Sequence, residues 1–218
     1  MKIAAKFFSV LFHPILLPFY VLPFYFSIEN YQNEIIRQLN SGFIYAIYSI
    51  MLIIGVLFPL MSIYIMYRTG IISSINLPDR KERIPVFIIV IIYYVMAYIM
   101  YRSWNLSYYH IIDPLLSFLA GGIALAILTF IISLFWKISL HSTSISGVAG
   151  GFLAFAWTMT PIINSNMLLL LNVVLLILMG LVSSSRLILK AHQPLEIYAG
   201  MILGFSVEYF IVVNGFTF

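Results

Sequence analysis

The sequence predicts an all-α fold, a polytopic transmembrane helical bundle with six or seven spans. The first observation is composition: 63% of the 218 residues are hydrophobic and only 8% are charged, whereas a soluble domain carries roughly 25% charged residues. The second is the grouping of apolar residues into seven stretches, each close to the roughly 20 residues that a membrane-spanning helix needs. Too little chain is left for a separate soluble domain, so we expect an integral membrane protein.

Composition also excludes several classes of function. The chain has no cysteine, which excludes disulfides, thiolate metal sites and cysteine nucleophiles. Its net charge is only +4, and no polar domain is available to carry a basic face for nucleic acid. The apolar stretches do not alternate as β-barrel strands would. They therefore predict helices, which satisfy their own backbone hydrogen bonds in lipid.

The seven predicted spans cover residues 7–26, 43–67, 84–101, 114–136, 143–163, 167–184 and 197–216. The first is unusual because Pro14, Pro18 and Pro23 each remove a backbone donor, which predicts a kinked, broken or re-entrant segment. A cleaved signal peptide is the alternative for this start, since Lys2 and Lys6 precede the apolar run. No convincing small-residue cleavage site follows, however.

Positive charge is concentrated on one side of the predicted bundle. The polar connections at residues 68–83, 137–142 and 185–196 are separated from one another by two spans, so they emerge on the same side. Of the eleven Lys and Arg residues, nine lie there: Lys2, Lys6, Arg68, Arg80, Lys81, Arg83, Lys137, Arg186 and Lys190. The positive-inside rule would make this side cytoplasmic. A second interpretation, compatible with the first, is that these basic residues form a cationic pocket that binds an anion.

The same side carries side chains suited to attack on a phosphate ester. His141 and His192 are accompanied by Ser139 and Ser185, and Glu196 follows His192 by four residues. One imidazole can act as nucleophile when a carboxylate holds its other nitrogen, and a second can protonate the leaving oxygen. The guanidinium groups nearby match the geometry of phosphate oxygens. The proline two residues after His192 suits the first turn of the last helix, whose N-terminus favours an anion.

At these residues the sequence resembles the type 2 phosphatidic acid phosphatase superfamily of membrane lipid phosphatases, which is related to the vanadium haloperoxidases. The family's third motif is Ser-Arg, five residues, His, three residues, Asp. This chain has Ser185-Arg186, five residues, His192, three residues and Glu196, with similar flanking Pro and Ala-Gly. The second motif, Pro-Ser-Gly-His, is matched in its Ser and His by Ser139 and His141, but its Pro and Gly are replaced.

The family's first motif, Lys, six residues, Arg-Pro, is matched only loosely. Here Arg83-Ile-Pro85 has one inserted residue, and the position seven before Arg83 holds Asn76 instead of Lys. Arg80 or Lys81 could supply the missing charge from a shifted position. The motifs place a phosphatase-like helical core at residues 71–218, and the N-terminal transmembrane segments at 1–70 contain no diagnostic motif.

The resemblance implies a role for each matched residue. His192 attacks phosphorus and forms a phosphohistidine, Glu196 orients and polarises His192, and His141 protonates the departing lipid oxygen. Basic and hydroxyl groups would bind the phosphate oxygens, and the candidates are Arg83, Ser139, Arg186, Arg80 and Lys81. The family needs no metal ion, and we expect no cofactor. Lys137 and Lys190 are expected to be outer charges or lipid headgroup anchors.

The implied function is that of a membrane phosphatase acting on a lipid-linked phosphate monoester or pyrophosphate. Substrates of this family belong to the phosphatidate, polyprenyl pyrophosphate and lipid A classes. A lipid phosphotransferase using the same site is one alternative. A non-catalytic lipid or anion transporter on the same fold is another, because a fold does not determine a function.

Further expectations concern the membrane location of the protein and the residues His13 and Glu208. The resemblance implies a multi-pass protein of the cell (inner) membrane with its site on the periplasmic or outer face, and we expect that face although the charge count favours the cytoplasm. His13 is expected to be a helix-end histidine bonded to a carbonyl. Glu208, a costly carboxylate inside the last span, is expected either to bond a neighbouring helix or to line a substrate groove.

Overall fold

The chain is helical in a computed structural model that describes residues 1–38, 41–75, 80–107, 110–159 and 166–217. No β-strand occurs within these ranges. A π-helical segment, Met51–Leu57, joins α4 to α5. The α-helices are α1 (Lys2–Leu11), α2 (Leu17–Ser27), α3 (Tyr31–Gln38), α4 (Ser41–Ile50), α5 (Phe58–Arg68), α6 (Arg80–Ser107), α7 (Asp113–Phe135), α8 (Leu140–Thr158), α9 (Asn166–Ile188) and α10 (Pro194–Val213).

Five helical segments in the described ranges are long and apolar enough to cross a membrane. They are Gly42–Arg68, Lys81–Asn105, Asp113–Phe135, Asn166–Ile188 and Pro194–Val213. The all-helical, multi-pass membrane architecture predicted from the sequence is therefore present. The predicted number of six or seven spans is not confirmed, because the first and fifth apolar stretches are not among these five segments.

The first apolar stretch is broken into two helices. Helix α1 ends at Leu11 and α2 begins at Leu17, with a turn between them in which the Leu16 N–H donates to the His13 carbonyl at 2.8 Å. Pro14 accounts for the break, because it lacks a backbone donor and disfavours helical geometry at the residue before it. Helix α1 packs against α9, so the break predicted from the prolines places His13 beside the bundle.

The fifth stretch forms α8, which is less apolar than the five spans and lies inside the bundle. Ser142, Thr143 and Ser146 on this helix are all buried. Helices α8 and α10 run in the same direction and approach closely, because small residues face one another along both. A Cβ atom at Gly204 would collide with the Thr143 carbonyl oxygen.

Aromatic rings fill the bundle between α2, α7 and the C-terminal half of α8. The Phe118 ring lies 5.7 Å from Phe155 and 5.9 Å from Phe152, and Tyr25 lies 5.6 Å from Phe155. All four side chains are buried. This packed region fixes the C-terminal half of α8. The N-terminal ends of α8 and α10 lie at the opposite end of the bundle, where this aromatic packing does not cover them.

Candidate active site

A cavity of about 1040 Å³ enters the bundle at the end where α8 and α10 begin. Residues from all three basic connections border it, although they are far apart in the sequence. They include Arg83, Lys137, His141, Arg186, Lys190 and His192. The cavity therefore has a cationic end that contains both of the predicted catalytic histidines.

Beyond this end the cavity wall becomes mainly apolar. Val90, Leu125 and Val148 are among its lining residues, and Glu208 also borders it. Glu208 follows Glu196 by twelve residues on α10, which corresponds to about 18 Å along the helix axis. The cavity thus combines an anion-attracting end with an apolar interior that reaches well into the membrane-spanning region.

His192 and Glu196 form a close pair at the cationic end. His192 Nδ1 lies 2.7 Å from Glu196 Oε2, and the two side chains are only 6% and 12% exposed. Because an ionised carboxylate can only accept, Nδ1 carries the proton and Nε2 keeps its lone pair. Burial lowers the pKa of His192 to about 4; the bond to Glu196 opposes this, and the charges of Lys137 and Arg186 add to it. A ring with this pKa is neutral at pH 7, and its Nε2 lone pair is then free to bind an electrophile.

The start of α10 explains why His192 is held in this position. Pro194 is in the first turn, as predicted, and Gln193 caps the helix. The Gln193 N–H donates to Glu196 Oε2 at 3.3 Å, which completes a capping box. Glu196 therefore caps α10 and binds His192 with the same oxygen, so the longer side chain compared with the family's Asp still reaches the imidazole.

His141 lies in the first turn of α8 and is oriented by the N-terminal helix. Its Nε2 lies 3.0 Å from the Ser9 carbonyl oxygen, which can only accept, so Nε2 carries a proton and Nδ1 has the lone pair in the neutral ring. Burial, followed by the charge of Arg186, lowers the pKa of His141 to about 3. An anion in the cavity would act in the opposite direction, because it would stabilise the imidazolium form.

Two arginines bring positive charge to the same place. Arg83 and Arg186 border the cavity and lie close enough for their charges to repel. Arg186 Nη1 donates to Ser9 Oγ at 3.1 Å, while the buried Arg186 Nε has no hydrogen-bond partner among the described residues. An unpartnered buried donor is costly, and a phosphate oxygen is a suitable acceptor for it.

Two of the remaining phosphate-binding candidates, Ser139 and Lys81, do not line the cavity. Ser139 is fully buried as the N-cap of α8, where its hydroxyl oxygen accepts from the Ser142 N–H at 3.4 Å and pairs with Ser142 Oγ at 3.0 Å. Lys81 is exposed and lies outside the cavity lining. The side chain of Arg80 and the whole of Asn76 lie outside the described residues.

Sequence reasoning missed the contribution of the first 16 residues. Ser9 and His13 both border the cavity, whereas no functional signal was assigned to residues 1–70. His13 was expected to bond a carbonyl, but its Nδ1 lies 3.4 Å from the Ile15 N–H and accepts from it, and its ring contacts that of His141. A histidine beside the proline break, on the same side as the basic connections, was the signal available.

Glu208 lies at the inner part of the cavity in a space made by glycines. The residue is 1% exposed, and its Oε1 has no hydrogen-bond partner in the described part of the chain. A Cβ atom at Gly121 would lie 2.7 Å from the carboxyl group, and one at Gly151 would lie 3.0 Å from Glu208 Cγ. Of the two expectations for this residue, lining of the groove is the one that the structure supports.

Comparisons of the chain with protein-family models, with curated proteins and with solved structures find no match in any of the three.

Proposed function

We propose that this protein is a membrane phosphatase that hydrolyses a lipid-linked phosphate monoester or pyrophosphate through a phosphohistidine. The observation that carries the proposal is the pairing of His192 with Glu196 at 2.7 Å in a cavity that His141, Arg83 and Arg186 also border. Two imidazoles with different partners, next to guanidinium groups, are the components that phosphoryl transfer to and from a histidine requires.

The proposed reaction has two steps. In the first, the Nε2 lone pair of His192 forms a bond to phosphorus, the bond from phosphorus to the lipid oxygen breaks, and the Nδ1–H of protonated His141 gives its proton to that oxygen. In the second, water attacks phosphorus while His141 takes a proton from it, the bond from phosphorus to His192 Nε2 breaks and returns its electron pair to Nε2, and orthophosphate leaves. Arg83 and Arg186 stabilise the charge on the phosphoryl oxygens in both steps.

The shape of the cavity supports a lipid as substrate. A phosphate group would bind at the cationic end, and the apolar wall that includes Val90 and Leu125 would surround a hydrocarbon chain. The substrate classes that fit this description are phosphatidate-type lipids, polyprenyl pyrophosphates and lipid A phosphates. A water-soluble phosphate ester would leave the apolar interior unoccupied.

The decisive test is release of orthophosphate by the purified protein from mixed micelles that contain one lipid of each class. We expect release from at least one lipid, without added metal, and a loss of release in the His192→Ala variant. Release that is equal in wild type and variant, or absent for every lipid, would contradict the proposal. Transfer of the phosphoryl group to an added alcohol instead of water would favour the phosphotransferase alternative.

The pH dependence should differ between kcat/KM and kcat. His192 must be neutral and His141 protonated, so activity falls below the pKa of His192 and above that of His141. Burial and nearby cations lower both pKa values, to about 4 and about 3, whereas a bound phosphate dianion raises them. We therefore expect the basic limb of kcat, which reports the complex, to lie at higher pH than the basic limb of kcat/KM. Coincident limbs would contradict this assignment of roles.

Cysteine labelling can determine the side of the membrane on which the cavity opens, because the chain has no native cysteine. We propose that the cavity opens to the outer face. In intact cells, an impermeant maleimide should then label Lys81→Cys, near the cavity end, and leave Asn166→Cys unlabelled until the cells are lysed. The opposite pattern would place the site on the cytoplasmic face, as the positive-inside rule favours.

A further inference from the structure

His13 is a third imidazole at the cationic end of the cavity. Its ring centroid lies 5.2 Å from that of His141, with the two rings nearly perpendicular. It comes from the break between α1 and α2, whereas His141 and His192 come from the starts of α8 and α10. No residue of the three family motifs lies in this segment, so nothing in the resemblance assigns His13 a role.

The hydrogen bonds of His13 determine which nitrogen is available. Nδ1 accepts from the Ile15 N–H at 3.4 Å, and a backbone N–H can only donate, so the proton of the neutral ring is on Nε2. No described residue accepts from Nε2, and the ring borders the cavity. Burial, with the charge of Arg186, lowers the pKa of His13, which keeps the ring neutral. His13 therefore offers one N–H donor beside the two groups that the proposed reaction uses.

We propose that His13 binds a non-bridging oxygen of the substrate phosphoryl group through its Nε2–H, so that the N-terminal segment completes the phosphate site. This inference rests on the proposed function, which identifies the bound anion as a phosphoryl group. It gives the N-terminal segment two contacts with the same site: Ser9 bonds His141 and Arg186, and His13, four residues later, lines the cavity beside His141.

Two substitutions separate a phosphate contact from a packing role. The amide of Gln extends to about the position of Nε2 and can donate there, whereas the shorter amide of Asn ends near Nδ1. We expect His13→Asn to lower kcat/KM for the lipid phosphate about 10- to 100-fold, as for loss of a hydrogen bond to a charged group, and His13→Gln to retain most of the activity. Equal losses in both variants, or no loss in either, would overturn the proposal.

His110 provides a matched control. It is exposed, lies outside the cavity lining and bonds Asp113, and its backbone φ of 63° suits Asn. We expect His110→Asn to keep the activity of the wild type. A loss in this variant equal to that in His13→Asn would show that histidine replacement affects the protein generally, and the phosphate contact would be rejected.

Binding of inorganic phosphate gives a readout that does not need catalysis. The chain has four histidines, so ¹⁵N-histidine labelling yields four imidazole spin systems, assigned by single substitutions. On addition of inorganic phosphate we expect the signals of His13, His141 and His192 to shift, and that of His110 to stay. A shift of His192 without His13 would overturn only this inference. A shift of His13 in a protein that hydrolyses no lipid would support the anion contact and contradict the phosphatase proposal.

Discussion

Replacement of His192 by Ala is expected to reduce phosphate release by about four orders of magnitude or more, the scale seen when a covalent nucleophile is removed. Without the imidazole, no phosphohistidine forms, and water would have to attack phosphorus directly. The carboxyl group of Glu196 loses its partner but keeps its bond to the Gln193 N–H, so we expect α10 to stay folded. Rapid acid-free quenching with ³²P-labelled lipid should trap labelled protein in the wild type and none in this variant.

His141→Ala tests the assignment of nucleophile and proton donor. Loss of a general acid costs about 10²- to 10⁴-fold, and the loss should be smaller when the leaving group is a phosphate, as in a pyrophosphate, than when it is an alcohol. His192→Ala should show no such dependence on the leaving group. A folded His192→Ala protein that keeps a tenth of the wild-type rate, or that still becomes labelled, would contradict the proposed mechanism.

The second large effect is expected at the contact between α8 and α10. Gly204→Ala introduces a Cβ atom that would collide with the Thr143 carbonyl oxygen and would lie 3.0 Å from the Gly147 N atom. Both obstacles are backbone, so relief requires the two helices to separate. We expect a loss of about 3 kcal/mol in the free energy of unfolding and, because the two histidines start from these helices, a loss of phosphate release as well.

Gly180→Ala is the matched control for this change. Gly180 is also within a membrane-spanning helix, but a Cβ atom there would meet nothing within 4 Å. Since Ala favours helix over Gly by about 1 kcal/mol, we expect unchanged or slightly higher stability. Thermal unfolding in detergent compares the two variants. Equal midpoints for Gly204→Ala and Gly180→Ala would mean that the close contact does not stabilise the bundle.

The candidate site shows where local sequence reasoning works well. Glu196 follows His192 by only four residues, and a proline between them begins α10. These are local relations, so the hydrogen bond between the two side chains and the position of the helix start follow from a few neighbouring residues. The prolines of the first apolar stretch likewise predict a kinked, broken or re-entrant segment, and the break between α1 and α2 lies at Pro14, whereas Pro18 and Pro23 are within α2.

Other features of the candidate site could not be predicted from the sequence. The resemblance implies that Ser139 binds phosphate, whereas in the structure its hydroxyl oxygen caps α8, and the sequence alone does not distinguish these two roles. The role of Ser9 at His141 and Arg186 spans more than 130 residues of chain, and no pattern in residues 1–16 indicates it. The described part of the fifth apolar stretch is helical as predicted, and its polar side chains Ser142, Thr143 and Ser146 are buried in the bundle, which the sequence alone did not indicate.

By itself the sequence determined that this is a multi-pass helical membrane protein with most of its positive charge on one side. The reason is that the length and apolar composition of each segment decide whether that segment can span the bilayer, and the Lys and Arg residues of each connection decide its charge. It also determined the local geometry that joins His192 to Glu196. Only the tertiary structure decided that α1 reaches the same cavity, that Ser139 is turned inward, and that an apolar space extends from the cations towards Glu208. Those results depend on helix packing, which is determined by many contacts between residues that are far apart in the sequence.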